Sequence, residues 1–505
     1  MYKPLLMCAV AWTAINVFAS RAMAAGCEPL TRLSVPNAQV TSARVIPPGT
    51  LSVGGSGPMA AVTNAALAGL PEFCRVTAVS RPSPDSDIRM EIWLPTSGWN
   101  GKLQSVGNGA WAGSISYRGL AGALVAGYAA ASTDTGHMGN SVDFAVGHPE
   151  RLVDFAHRAV HEMTLVAKAV VVDHYARPAA YSYFAGCSTG GRQALAEVQR
   201  YPEDYDGIIA GAPAHHATHL QGMQVWTAVT THRATGSALD RGDLAFVNRA
   251  ALVACDALDG VEDGVIEDPR QCSFDPETLV CRGGSGGQCL TPLQAETVSM
   301  IYSGPTDSKG GPLFYGLQRG SELGWSTLSG DAPLSLANDL YAQLVFEDED
   351  WDYRTFEAGR DIPYAVERIG PLMNSVDADL TRFASLGGKL LLYHGWNDPG
   401  IPAGSTVSYY ESVVDVTGRE LAAQSVRLFM VPGMNHCGGG VGTDRFDAMA
   451  ALDLWVRTGQ APALIEAARM EDGRVVRTRP LCPYPEVATY VGEGSTDDSQ
   501  NFYCR

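Results

Sequence analysis

Basic residues are scarce in this chain: Lys and Arg number 36 against 54 Asp and Glu, for a formal net charge of −18 and a pI near 5.0. A surface of that sign repels phosphate backbones, so nucleic acid is not an expected partner. There is no Cys-x-x-Cys pair, which removes the usual zinc-ribbon signature. Beyond the N-terminus no stretch reaches 18 uninterrupted apolar residues, so no membrane contact is expected once that end is removed. No segment repeats at a fixed period. Charged residues make up only 18% against 46% hydrophobic, which excludes a disordered or collagen-like chain. Five hundred and five residues suffice for two to four domains, or for one elaborated α/β unit.

What is present begins with an odd number of cysteines, 11. Lys3, an apolar stretch from Leu5 to Ala19 and Ala22-Met23-Ala24-Ala25 read as a secretory signal peptide over residues 1–25. Its removal takes Cys8 and leaves ten cysteines, an even number suited to disulfides in an oxidising compartment. Ala24-Ala25-Gly26-Cys27 also has some likeness to a lipoprotein box, which would leave one cysteine unpaired. The even count favours cleavage and a secreted or periplasmic protein.

Alternation marks strands at Ile88–Pro95, Leu103–Val106, Tyr128–Asp134, Lys389–Tyr393 and Val426–Val431. Cys27 to about Leu70 reads as an irregular strand region. Arg151 to Tyr175 carries apolar residues at helical spacing and reads as one amphipathic helix. Strands alternating with helices predict an α/β fold with a largely parallel sheet. Near Ala214 the rhythm breaks, and it returns only after Leu380. The expected organisation is therefore 26–213 and 381–505 as one α/β domain, interrupted by an insertion over 214–380 that contains a Gly283-Gly284-Ser285-Gly286-Gly287 loop.

Gly186-Cys187-Ser188-Thr189-Gly190 contains G-x-S-x-G, with a strand-like run before it and a helical run after it. That context is a nucleophile elbow, which lifts Ser188 to a helix N-terminus. A serine nucleophile needs a base, and the base needs an orienting carboxylate, in the chain order Ser, acid, His. Asp398 and His436, each on a loop after a strand, satisfy that order. A neutral imidazole is required, so activity is expected to fall with acid between roughly pH 6 and 7. The oxyanion hole is expected from the N–H of Thr189 and that of Gly109, with Ala110 as the alternative. Cys187 precedes Ser188 and Cys437 follows His436, so a formed triad would bring these two sulfurs close. His394, four residues before Asp398, is a candidate for the pocket wall. His215, His216 and His219 lack a nearby Cys or Glu at ligand spacing, so zinc is not expected.

Between Cys255 and Cys272, carboxylates at Asp256, Asp259 and Asp263 and carbonyls at Val261 and Val265 offer hard oxygen ligands for Ca²⁺, at a spacing unlike an EF-hand. The alternative is an acidic, disulfide-held turn without an ion.

Taken together, Cys187-Ser188, Asp398 and His436-Cys437 resemble the hallmark of the tannase/feruloyl esterase family of secreted α/β-hydrolases, from about Cys27 to Cys504. The resemblance implies an α/β-hydrolase fold with a large lid-domain insertion, and a structural Ca²⁺ in that lid held by Asp256, Asp259, Val261, Asp263 and Val265. It implies no organic cofactor. It also implies the pairings Cys27–Cys74, Cys187–Cys437, Cys255–Cys272, Cys281–Cys289 and Cys482–Cys504. The family includes feruloyl esterases, tannases and the mono(2-hydroxyethyl) terephthalate hydrolase branch. For that last branch the resemblance implies a lid arginine for the substrate carboxylate. No Arg lies between Arg319 and Arg354, where Glu347, Asp348, Glu349 and Asp350 stand instead. An acidic lid suits a neutral phenolic ester better than an anion. Trp325, Phe346 and Trp351 are candidate walls for such a ring.

The expected function is a serine carboxylesterase acting on hydroxycinnamoyl-type esters, free or attached to plant polysaccharide or tannin. Tannase activity and the terephthalate half-ester are alternatives. An inactive secreted binding protein is the alternative from another class.

Overall fold

Ten strands form one mixed sheet in the computed structural model, which describes residues 26–54, 58–282 and 288–505. They are β1 (Ser34–Val35), β2 (Ala38–Ile46), β3 (Phe73–Ser80), β4 (Ile88–Pro95), β5 (Lys102–Val106), β6 (Ala129–Thr133), β7 (Tyr181–Cys187), β8 (Gly207–Gly211), β9 (Lys389–Gly395) and β10 (Val426–Val431). The spatial order is β1-β2-β3-β4-β6-β5-β7-β8-β9-β10. From β6 to β10 every pairing is parallel, whereas β1 to β4 and the β4–β6 pair are antiparallel. The parallel half is covered on both faces, and β6 and β8 are buried at every position. Side chains divide with period two. Ile208, Leu390 and Leu428 pack with Met163, Val166 and Leu195 on one side, while Ile209, Leu391 and Phe429 pack with Leu120, Leu124 and Trp455 on the other.

Two segments differ from the sequence expectation. The N-terminal region holds strands but also a helix, Pro58–Ala68. Its alanine-rich run carries no strong apolar stripe, so periodicity did not signal it. The helix expected from Arg151 to Tyr175 starts at Pro149 and contains a π-helical stretch, Asp154–Arg158, before continuing as Ala159–Tyr175. The fully buried Arg192 guanidinium donates to Ala156 O (2.7 Å) and Phe155 O (3.2 Å), satisfying carbonyls in the widened turn.

Strands β8 and β9 are parallel neighbours, although the chain between them runs from Ala212 to Gly388. Among its described residues this excursion adds no strand to the sheet. It is built on the helices Ala217–Thr231, Arg241–Cys255, Pro292–Ser303 and Ala358–Met373, around two apolar clusters that contain Tyr341 and Trp325 respectively. Reciprocal capping boxes start two of these helices: Asp240 with Asp243, and Thr291 with Gln294. The Gly283–Gly287 loop lies outside the described residues, as does the expected signal peptide. No helix among the described residues is long and apolar enough to cross a membrane. Among the described residues five disulfides join Cys27–Cys74, Cys187–Cys437, Cys255–Cys272, Cys281–Cys289 and Cys482–Cys504.

Candidate active site

Ser188 stands between β7 and the helix Thr189–Arg200, at φ 65° and ψ −121°. A side-chain-bearing residue held there costs about 1–3 kcal/mol, which its surroundings must offset. Ser188 N–H donates to Gly211 O (3.0 Å), and its carbonyl accepts from Arg192 N (3.0 Å) and Ala214 N (3.1 Å). The turn is possible only with glycine around it. A Cβ on Gly186 would collide with the Gly190 carbonyl, and one on Gly190 would lie 2.9 Å from Asn108 O.

That last contact brings in the glycine loop after β5. Asn108 N–H donates to Gln193 Oε1 (3.0 Å), and Gln193 Nε2 donates back to Asn108 Oδ1 (3.2 Å). Asn108 Nδ2 also reaches Ser114 O and Thr133 O, each at 2.9 Å. The loop is thereby locked to the nucleophile helix, and Thr189 Oγ1 donates to Ala110 O (3.0 Å). Thr189 is the first helical residue, so its N–H has no intrahelical acceptor. Ala110 sits at φ 48°, and a Cβ on Gly109 would meet open space.

Asp398 follows β9 and is fully buried. Its Oδ1 accepts from Gly400 N (2.8 Å) and Ile401 N (2.9 Å), while Oδ2 accepts His436 Nδ1 at 2.6 Å. Burial opposes its ionisation, but the charge of His436 and the hydrogen bonds from His394 and His436 outweigh it and hold the carboxyl well below its ordinary range. For His436, burial resists protonation, yet the Asp398 charge and hydrogen bond leave its pKa raised from 6.5. Among the described residues no hydrogen bond joins Ser188 Oγ to His436. The covalent link is one residue away on each side, where Cys187 and Cys437 are bonded with Cα atoms 6.1 Å apart.

His394 does not line a pocket. It is fully buried behind the acid, with Nε2 at 3.1 Å from Asp398 Oδ2. Trp325 is likewise no open wall: it is 0% exposed in an apolar cluster, and its indole N–H donates to Ser321 Oγ (2.8 Å). Phe346 and Trp351 are half-buried and pack on one another, Tyr341, Phe356 and Tyr364. His216 and His219 pack on Phe314, a few residues beyond Ala214, whose own N–H donates to Ser188 O. A cavity of about 830 Å³ touches Gly186, Cys187 and Cys437 but is lined by neither Ser188 nor His436, so it opens on the disulfide and not on the nucleophile.

A family model described as tannase and feruloyl esterase matches residues 74–505. The chain belongs to the tannase and feruloyl esterase family. It is thus a carboxylic ester hydrolase by family. It is 37% identical to an uncharacterized esterase of Xanthomonas campestris pv. campestris, covering 95% of this chain and 91% of that one. It is 33% identical to a probable feruloyl esterase B-2 of Aspergillus oryzae, covering 94% of each. The crystal structure of feruloyl esterase B from Aspergillus oryzae superposes with a TM-score of 0.86 at 31% identity, over 95% of this chain and 99% of that one. A tannin acyl hydrolase from Aspergillus niger shares the fold, with a TM-score of 0.78 at 24% identity over 96% and 93%. The fold of this tannase and feruloyl esterase family member is accordingly that of the α/β-hydrolases.

Its acidic loop is where the sequence places the expected Ca²⁺. Among the described residues no group of three or more His, Cys, Asp or Glu side chains stands at metal-holding distances. Asp256 accepts from Asp263 N (3.2 Å) and Gly264 N (2.9 Å), Asp259 from Val261 N (3.0 Å), and Asp263 from Val265 N (3.1 Å). Arg479 and Arg477 also pair with Asp263, at 2.5 and 3.2 Å. Burial raises the pKa of Asp259 and of Asp263, and the neighbouring carboxylates add to it. Glu267, which shares a cavity of about 320 Å³ with Asp259, is pushed up to about 8 by burial. Carboxylates are hard donors of the kind Ca²⁺ takes, but here they accept backbone N–H bonds, stand too far apart to hold an ion together, and two arginines already pair with Asp263.

Proposed function

We propose that this protein is a secreted serine carboxylesterase that cleaves aromatic, hydroxycinnamoyl-type esters. The observation that carries the reading is the 2.6 Å contact of His436 Nδ1 with Asp398 Oδ2, on a loop tied by Cys187–Cys437 to the strained Ser188 turn. In this reading Asp398 fixes the imidazole with its proton on Nδ1, leaving Nε2 to accept the Ser188 Oγ proton as the oxygen attacks the ester carbonyl. The N–H groups of Thr189 and of Gly109 or Ala110 hold the oxyanion. His436 returns the proton to the leaving alcohol, and water resolves the acyl-enzyme by the same route. The aromatic acyl group is supported by the feruloyl esterase relatives.

The test is a hydrolysis panel of methyl ferulate, methyl gallate, mono(2-hydroxyethyl) terephthalate and short p-nitrophenyl esters, with Ser188→Ala as control. Methyl ferulate is expected to have the highest kcat/KM, and Ser188→Ala is expected to abolish turnover. Fastest cleavage of the terephthalate half-ester overturns the substrate assignment. Folded protein that neither turns over nor labels with a fluorophosphonate overturns the esterase assignment.

The segment 214–380 is proposed as the lid over this site. Its acidic loop is proposed to take a structural Ca²⁺ on Asp256, Asp259 and Asp263, with the carbonyls of Val261 and Val265. Export is proposed to follow cleavage before Gly26, for which the five disulfides are the support.

A further inference from the structure

Asp398 has a second histidine on it. His394 Nε2 lies 3.1 Å from Asp398 Oδ2 and 3.1 Å from Ile401 O, while Nδ1 lies 2.8 Å from Thr406 Oγ1. The carboxylate and the carbonyl are both acceptors, so Nε2 must carry hydrogen. Among the described residues the Thr406 hydroxyl has no other acceptor, so it donates to Nδ1, which is then unprotonated. The surroundings therefore select one neutral tautomer, with Nε2–H aimed at the same oxygen that accepts His436 Nδ1–H. Asp398 is left with two imidazole donors on Oδ2 and two backbone donors on Oδ1.

We propose that His394 is a positioning residue for the esterase reaction: as a neutral Nε2–H donor it orients Asp398 and takes up part of its negative charge, which sets how strongly Asp398 holds a proton on His436. The proposal rests on Asp398 and His436 acting as the acid and base. A carboxylate shared between two donors attracts the His436 proton less than one with His436 alone. Without His394 the general base would hold its proton to higher pH, and Asp398 would be free to rotate away from Nδ1. His215, from the segment after β8, is also a titratable neighbour of His394. It is buried against Tyr409 with its Nδ1 on Pro213 O, and burial depresses its pKa to about 4, so it stays neutral through the working range.

The experiment is the kcat/KM pH profile of the full chain on methyl ferulate, for wild type, His394→Leu and His394→Gln, with Ser188→Ala alongside. The Leu variant removes the donor, and the Gln amide can place one near the position of Nε2. The expected result is an acid limb moved to higher pH by about 0.5 unit or more in His394→Leu, with kcat lowered roughly tenfold and KM little changed. His394→Gln is expected to bring the limb back toward wild type. A purely structural role would lower the yield of active enzyme and leave the limb in place, and an unmoved limb in His394→Leu overturns the proposal. Activity surviving in Ser188→Ala instead overturns the catalytic reading beneath it. Should His394→Leu fail to fold, nitrogen NMR of histidine-labelled wild-type protein decides. The resonance lost in His394→Gln must report Nε2–H with unprotonated Nδ1 at pH 7, and any other state overturns the assignment.

Discussion

Cys187 and Cys437 are bonded to one another across 250 residues of chain, each directly beside a residue of the candidate active site, Ser188 in one case and His436 in the other. Closing so long a loop is worth roughly 5 kcal/mol in the chain-entropy model, before any strain. Its second consequence is local. Ser188 and His436 share no hydrogen bond, so the sulfur bridge is the tightest connection between their loops.

Reduction is therefore expected to cost activity before it costs the fold. The cavity on the far side of the bridge and the exposed Cys437 give a reductant access. Titration with dithiothreitol should abolish ester hydrolysis while far-ultraviolet circular dichroism is largely retained, since four other disulfides remain. Full activity after mass-spectrometric proof that this bridge is open would refute the expectation.

The pH dependence follows from His436. Its pKa is raised from 6.5 by Asp398 against the effect of burial, and only the neutral imidazole can act as base. The acid limb of kcat/KM is expected at higher pH than an unperturbed histidine would give. Asp398→Asn should lower kcat by about 10⁴-fold, because the amide no longer enforces the productive tautomer.

Asp134, in the loop after β6, carries a different linkage. Burial pushes its carboxyl up to about 7 from 3.8, although Oδ1 accepts both Arg89 N and Gly136 N at 2.9 Å. The folded state thus binds the proton more tightly than the unfolded one. Its contribution to stability is present below about pH 4 and is lost as pH rises through 7. Asp134→Asn keeps the single accepting oxygen and removes the charge, so it should stabilise the protein by roughly 1 kcal/mol or more at pH 8. A melting temperature at pH 8 equal to or below that of wild type would count against this.

Trp325→Ala should destabilise by about 3–5 kcal/mol, the cost of emptying a fully buried aromatic site. It should leave the ranking of ester substrates unchanged, because the indole faces the cluster of Leu220, Leu244 and Leu328. A changed ranking in folded variant would return Trp325 to the substrate pocket.

Calcium is tested by melting in chelator and in millimolar Ca²⁺. Wild type is expected to gain several degrees with Ca²⁺, and Asp259→Asn to lose most of that gain. Equal melting temperatures in both buffers would show that Arg477 and Arg479 are the only counter-charges Asp263 needs.

The strand–turn–helix around Ser188, the loops carrying Asp398 and His436, and the even cysteine count were all legible in the sequence, because each depends on local rules: period-two and helical patterning, glycine where backbones crowd, and chain order. The α/β class followed from the same patterning, while the π-turn at Asp154–Arg158 did not, since it depends on a guanidinium arriving from another helix. The antiparallel half of the sheet was equally hidden, because strand direction is set by pairing and not by the pattern of one strand. His394 and Trp325 mark the limit most clearly. Each is a polar-edged ring, one near the end of β9 and the other in a short helix, and the sequence cannot say whether such a ring faces a cleft or a core. Only the folded chain decides that, by bringing Thr406 and Ile401 around one and an apolar cluster around the other.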